Sequence, residues 1–145
     1  MDQMALDIYT YRLDQAKKNI GCAKLAMEGG FFGGSVNRSY YAMFSAARAL
    51  LALKGLDSAK HSGVISLFNR GIVKAGLVRK EMGGLLNNAR RTRTEADYKD
   101  FVEPDGELAR EQTADAERFI IEIEKACKRL IDAEPPQKDN LESPT

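Results

Sequence analysis

Apolar residues recur near the start of this chain in alternating steps of three and four, at Leu6, Tyr9, Leu13, Ala16, Ile20, Ala23 and Met27. That spacing lines up one stripe and predicts a long first helix with a single buried face. Gly29-Gly30 ends it, and Phe31-Phe32-Gly33-Gly34 reads as a short apolar connection whose glycines are free to take positive φ. Ser35 is the expected N-cap of a second helix running to about Lys54. This helix is apolar on most of its circumference, through Val36, Tyr40, Met43, Phe44, Ala47, Leu50, Leu51 and Leu53, and should be the central one. Gly55 closes it, and a third helix begins near Lys60 or His61, carrying Val64, Leu67, Phe68 and Ile72 inward. Gly76-Leu77-Val78 turns the chain into a fourth helix with Met82, Leu85, Leu86 and Ala89 at helical spacing. Beyond Phe101, Val102 and the break at Pro104-Asp105-Gly106, a last helix from about Glu107 to Asp132 repeats the stripe with Ala116, Ile120, Ile123, Cys127 and Leu130.

Long stripes joined by short connections, with no strand-like alternation, predict an all-α fold: an antiparallel up-and-down bundle of four to five helices. One domain over residues 1–133 is expected, followed by a disordered tail at 134–145, where the sequence turns polar, gains prolines and loses its period. The second and third helices carry more apolar side chains than a small bundle must hide. A homodimer would account for them, as would a deeper core.

Charge changes this picture little. Lys+Arg number 22 and Asp+Glu 21, so any site for a polyanion must come from local clustering and not from net charge. Cys22 and Cys127 lie within apolar helical patterns and read as small core residues of a reduced protein, with a bridge between neighbouring terminal helices left open. There is no C-x-x-C and the sole histidine is His61, so no metal site and no cofactor are expected. No apolar run approaches membrane-spanning length and Met1-Asp2-Gln3-Met4 does not resemble a signal segment, which points to the cytoplasm and away from the membrane.

The candidate chemistry gathers at the end of the fourth helix. Arg90, Arg91 and Arg93 precede Asp97 and Tyr98, and such a cluster can hold a phosphate, because a guanidinium donates paired hydrogen bonds to anionic oxygens and stays charged. If the backbone stays helical, Arg93 and Asp97 are one turn apart and can pair, leaving Tyr98 off that face; if it breaks near Thr94, Arg93 and Tyr98 can converge. On the apolar second helix, Arg38, Tyr41, Ser45 and Arg48 share a face. Arg48 reads as a solvent-facing residue, whereas Arg38 and Tyr41 can project with Asn37 into a cleft. His61 falls in a first helical turn, where the dipole favours an anion and the neutral imidazole, a form able to act as a base.

The blocks Ser35-Val36-Asn37-Arg38-Ser39-Tyr40-Tyr41-Ala42-Met43-Phe44, His61-Ser62-Gly63-Val64-Ile65-Ser66-Leu67-Phe68 and Arg93-Thr94-Glu95-Ala96-Asp97-Tyr98 together resemble the HEPN family. The likeness spans about Ala5 to Leu130. It implies a dimerising helical bundle, often paired as a toxin with a minimal nucleotidyltransferase antitoxin, and in active members a metal-independent ribonuclease with an R-x(4-6)-H motif. The motif's arginine falls on Arg93, but its histidine position holds Tyr98. A phenol with an ordinary pKa of about 10 is a poor base at neutral pH unless neighbouring arginines lower it. The resemblance thus implies catalytic roles for Arg93, Tyr98 and Asp97, with His61 as a substitute proton carrier. Arg38, Asn37, Tyr41, Arg90 and Arg91 would bind phosphate, RNA or nucleotide, and Tyr98 would also be a candidate acceptor of a nucleotide from the partner.

Overall fold

The computed structural model describes residues 1–100 and 102–134. Five α-helices follow one another: α1 (Gln3–Glu28), α2 (Phe32–Leu53), α3 (His61–Phe68), α4 (Glu81–Tyr98) and α5 (Gly106–Ala133), with a π-helical turn at Asn69–Val73 continuing α3. No strand occurs among the described residues, and the all-α up-and-down bundle predicted from the periodicity is the fold observed. Phe101 and almost all of the tail expected to be disordered lie outside the described residues.

Helix ends follow from local chemistry. The Asp2 carboxylate accepts from Met4 N–H at the start of α1, and Asp105, just past Pro104, accepts from Leu108 N–H at 2.8 Å to start α5. At the other end of α1, Gly30 takes φ 81°, so that its own N–H reaches Met27 O and Phe31 N–H reaches Ala26 O. Gly55 does the same after α2 with φ 69°, directing Leu56 N–H onto Leu51 O. Only glycine enters this left-handed turn without crowding its Cβ.

Ser35 is not a cap. α2 begins three residues earlier, at Phe32, and Ser35 is buried inside it, its hydroxyl donating to Ala23 O of α1 at 2.8 Å. The small run Gly33-Gly34-Ser35 lets α2 approach α1 closely, so that a Cβ on Gly34 would stand 3.9 Å from that of Ala26. Thr113 Oγ1 of α5 lies 3.2 Å from Ser39 Oγ and donates in turn to Ala109 O, which satisfies the hydroxyls in this interior.

α2 packs against α1, α5 and α4 at once, and Tyr40, Met43, Leu50, Leu51 and ten further residues of it are buried. The apolar surplus on α2 is therefore hidden within one chain, which is the core-depth explanation; dimerisation needs a different argument. α1 and α5 face each other with Cys127 in the core, but Cys22 is exposed rather than buried, because it lies on the outer side of α1 next to the inward-facing Ala23. Both cysteines are free, so the possible bridge is not formed. Among the described residues no helix is long and apolar enough to cross a membrane.

Two glycines differ sharply in what surrounds them. A Cβ on Gly63 would run into the side chain of Ser58, whose oxygen accepts from Lys60 N–H at 3.2 Å, whereas a Cβ on Gly84 would meet nothing within 4 Å. Gly63→Ala should cost about 1–3 kcal/mol by overpacking the turn before α3. Gly84→Ala should stabilise by about 0.5–1 kcal/mol by removing a flexible residue from a helix interior. Urea unfolding midpoints of the two variants should move in opposite directions.

Candidate phosphate-binding face

The one side of α2 that no neighbouring helix covers holds Asn37, Arg38, Tyr41, Ser45 and Arg48, all half-buried. α3 delivers His61 to this face as its first residue, and α4 delivers Arg90 and Arg93. His61 lies flat on Phe44, with ring centroids 4.2 Å apart and an interplanar angle of 18°. Its Nδ1 is 2.8 Å from the hydroxyl of Tyr40, and Tyr41 meets the imidazole edge-on at 5.8 Å. Four rings, Tyr40, Tyr41, Phe44 and His61, thus form one aromatic cluster where α2 meets α3.

Guanidinium groups surround it. Arg93 Cζ stands 5.4 Å from the centre of the Tyr41 ring and 5.8 Å from that of Tyr40, and Arg38 Cζ lies 5.0 Å from Tyr41. Rings hold cations in this way through their negative faces. Arg38 is further fixed by Asn37 Oδ1, which accepts from its Nη2 at 2.7 Å, and by Asn19 Oδ1 of α1, which accepts from its Nη1 at 3.1 Å. Arg93 Nε lies 2.9 Å from Asp97 Oδ2, a charge contact without hydrogen-bond alignment, and the terminal nitrogens of Arg93 donate to none of the described residues. A cation so placed can still give two parallel hydrogen bonds to an anionic oxygen pair.

Because α4 stays helical to its end, the alternative of a break near Thr94 is closed. Five residues beyond Arg93, Tyr98 is turned about 140° round the helix and is 75% exposed. The structure thus brings Arg93, Asp97, Arg90, His61, Arg38, Asn37 and Tyr41 to one region and leaves Tyr98 outside it. Arg91 also points away, donating to Asn88 Oδ1 at 2.7 Å on the exposed side of α4. Arg48 is not simply solvent-facing: it shares the Asp57 carboxylate with Arg12, each at 3.3 Å, and its buried Nε has no partner among the described residues. Arg12 also donates to the Arg48 backbone carbonyl at 3.1 Å, so this one side chain ties α1 both to α2 and, through Asp57, to the loop before α3. A hollow of about 440 Å³ between α1 and α2, lined in part by Arg12, Gln15, Ser45 and Arg48, adjoins this end of the polar strip.

Tyr40, Phe44 and Asn19 were not singled out from sequence. Tyr40 and Phe44 are spaced one turn apart beside Tyr41 and were absorbed into the core stripe; Asn19 is a lone amide on α1 with no local pattern to mark it.

Burial shapes the protonation states first. It lowers the His61 pKa below its ordinary value, and the positive charges of Arg93, Arg90 and Arg48 lower it further. The neutral ring expected from the helix dipole is therefore held mainly by burial and by three guanidiniums. Burial also pushes the Tyr40 hydroxyl up to about 12 against the opposing pull of Arg90 and Arg93, so it keeps its hydrogen. Asp57 is lowered despite partial burial, through Ser58 N–H and the charges of Arg12 and Arg48.

The HEPN domain model matches residues 9–129. This chain belongs to the HEPN domain family. A Thermotoga maritima protein named "UPF0332 protein" is 39% identical over 123 residues, covering 85% of this chain and 93% of its own length. A Methanocaldococcus jannaschii protein named "Putative toxin" is 34% identical over 119 residues, covering 82% of this chain and 88% of its own. An Archaeoglobus fulgidus protein, again named "UPF0332 protein", is 33% identical over 129 residues, 89% of this HEPN chain and 98% of the relative.

The lowered His61 pKa fixes a sign for stability. As pH falls below 6.5, the ordinary histidine value, the unfolded chain binds its proton before the folded one does. The contribution of His61 is thus complete above about pH 6.5 and is lost progressively below it, until the folded pKa is passed. Denaturation at about pH 7.5 and about pH 5.5 should show a larger loss for the wild type than for His61→Asn. Equal losses would mean that the imidazole is not held neutral.

Proposed function

We propose that this HEPN chain is a toxin-like protein that cleaves RNA phosphodiesters without a metal ion, in the cytoplasm, as one half of a toxin–antitoxin pair. The observation that carries this reading is the Arg93 guanidinium, set over the Tyr41 ring beside neutral His61 with its terminal nitrogens free of the described residues. In the reaction the 2′ oxygen of the RNA bonds to phosphorus as the bond to the 5′ oxygen breaks. The 2′ proton passes to solvent and the leaving oxygen takes one up, giving a cyclic phosphate and a 5′ hydroxyl. Arg93 neutralises charge on the phosphoryl oxygens as it develops, Asp97 orients Arg93, and His61 meets the same phosphate. Arg38, held by Asn37 and packed on Tyr41, binds the adjoining phosphate or nucleotide, with Arg90 supplying further positive charge and Arg91, turned to the outer side of α4, left out of the site.

Two copies of the chain would act as a homodimer, with a minimal nucleotidyltransferase as antitoxin. The exposed phenol of Tyr98 suits this partner better than it suits proton transfer at Arg93. Its oxygen would attack the α-phosphorus of a nucleoside triphosphate and release pyrophosphate, leaving a bulky nucleotide beside the phosphate face.

A second reading, a non-catalytic module that binds RNA or nucleotide or docks the nucleotidyltransferase, is favoured by the tyrosine at the position where the active motif has histidine. Incubation of the purified protein with mixed RNA in chelator separates the two. Cleavage leaving cyclic phosphate ends should fall by roughly 10²–10³-fold in Arg93→Ala, and Tyr98→Phe should retain it. Cleavage that survives Arg93→Ala would remove that residue from the chemistry, and RNA binding without cleavage would leave the second reading standing.

A further inference from the structure

Tyr40 has no exposed surface, and its hydroxyl has one hydrogen-bond partner among the described residues, His61 Nδ1 at 2.8 Å. A phenol carries a single hydrogen, and a buried hydrogen with no acceptor bears its full desolvation penalty, whereas an idle lone pair costs far less. The hydroxyl therefore donates and Nδ1 accepts. Were Nδ1 to carry hydrogen, Tyr40 would have to accept, and its own hydrogen would be stranded. The stack on Phe44 at 4.2 Å and Tyr41 against the rim fix the plane of the imidazole, and the Tyr40 hydrogen bond selects between the two orientations related by a half-turn about Cβ–Cγ.

We propose that Tyr40 is a positioning residue that holds His61 in the Nε2–H tautomer, so that the neutral ring meets an anionic phosphate oxygen as a hydrogen-bond donor and does not act as a base. The charged groups facing the ring, Arg93, Arg90 and Arg48, all oppose a second proton, and Nε2 makes no hydrogen bond to any described residue. A neutral donor among guanidiniums suits a phosphoryl oxygen, because it adds a directed hydrogen bond without adding like charge to the cluster. This deepens the reading of the face as a phosphate site, and its tautomeric part stands whether or not RNA is cut.

The chain has a single histidine, so histidine-selective 15N labelling gives one pair of ring nitrogens with nothing to assign. Above the titration of His61, the wild type should show a protonated, pyrrole-type Nε2 and an unprotonated, pyridine-type Nδ1. Tyr40→Phe, which keeps the ring and removes the hydroxyl, should raise the Nδ1–H fraction several-fold. Inorganic phosphate should shift Nε2 more than Nδ1. A wild type in the Nδ1–H form, or an unchanged ratio in folded Tyr40→Phe, overturns the role of Tyr40. A ring unmoved by saturating phosphate overturns the donor role. The wild-type spectrum decides the tautomer even if the variant fails to fold, and loss of RNA cleavage enters none of these readouts.

Discussion

A helix enclosed by three others has one face left for anything but packing, and that constraint organises this molecule. α2 is committed to α1, α4 and α5 through side chains with no exposed surface, among them Tyr40, Met43, Leu50 and Leu51. Its remaining face must be polar enough to meet water and still sit on a rigid support. Asn37, Arg38, Tyr41, Ser45 and Arg48 occupy it, and α3 and α4 need only bring their ends to the rim to add His61 and Arg93. The cation positions are then set by core packing and not by mobile loops, which favours recognition of a fixed anion geometry.

The electrostatics of this face rest on aromatic rings as much as on carboxylates. Asp97 and Asp57 offset part of the charge of Arg93, Arg48 and Arg12. Arg38, however, has no carboxylate partner among the described residues and is held by two amide oxygens and the Tyr41 ring, which steadies a cation without neutralising it. An arginine steadied in this way keeps its full charge for a ligand, while one locked to a carboxylate must first be released. The uncharged imidazole between these cations avoids the repulsion that a charged one would add.

Much of the fold was legible because the apolar period of each helix is regular and the breaks are marked by glycine or proline. The periodicity located Leu6 to Met27 and the last helix to within a few residues. Ser35 misled because a serine after glycines has the signature of a cap, and only the packed structure shows its hydroxyl turned across to α1. Cys22 misled for a related reason: its neighbour Ala23 lies on the buried stripe, and one residue moves a side chain a quarter turn or more round the helix. For the site, Arg93 with Asp97 and Arg38 with Asn37 were visible as neighbours in sequence. The contacts of His61 with Tyr40 and Phe44 join residues 21 and 17 positions apart, and no local pattern announces them.

The hydroxyls beneath α2 give its bearing on the rest of the bundle. Ser35 gives its hydrogen to Ala23 O, Thr113 gives its own to Ala109 O, and Ser39, 3.2 Å from Thr113, can complete the chain only by donating to it. Apolar side chains tolerate a small roll of one helix on another, because dispersion has little direction; hydrogen bonds do not. This trio therefore acts as a key in a shaft, fixing the angle at which α2 is mounted. Since Arg38 and Tyr41 ride on that same shaft, about 80° and 140° round from the two serines, the aim of the candidate phosphate face is set by three small buried alcohols.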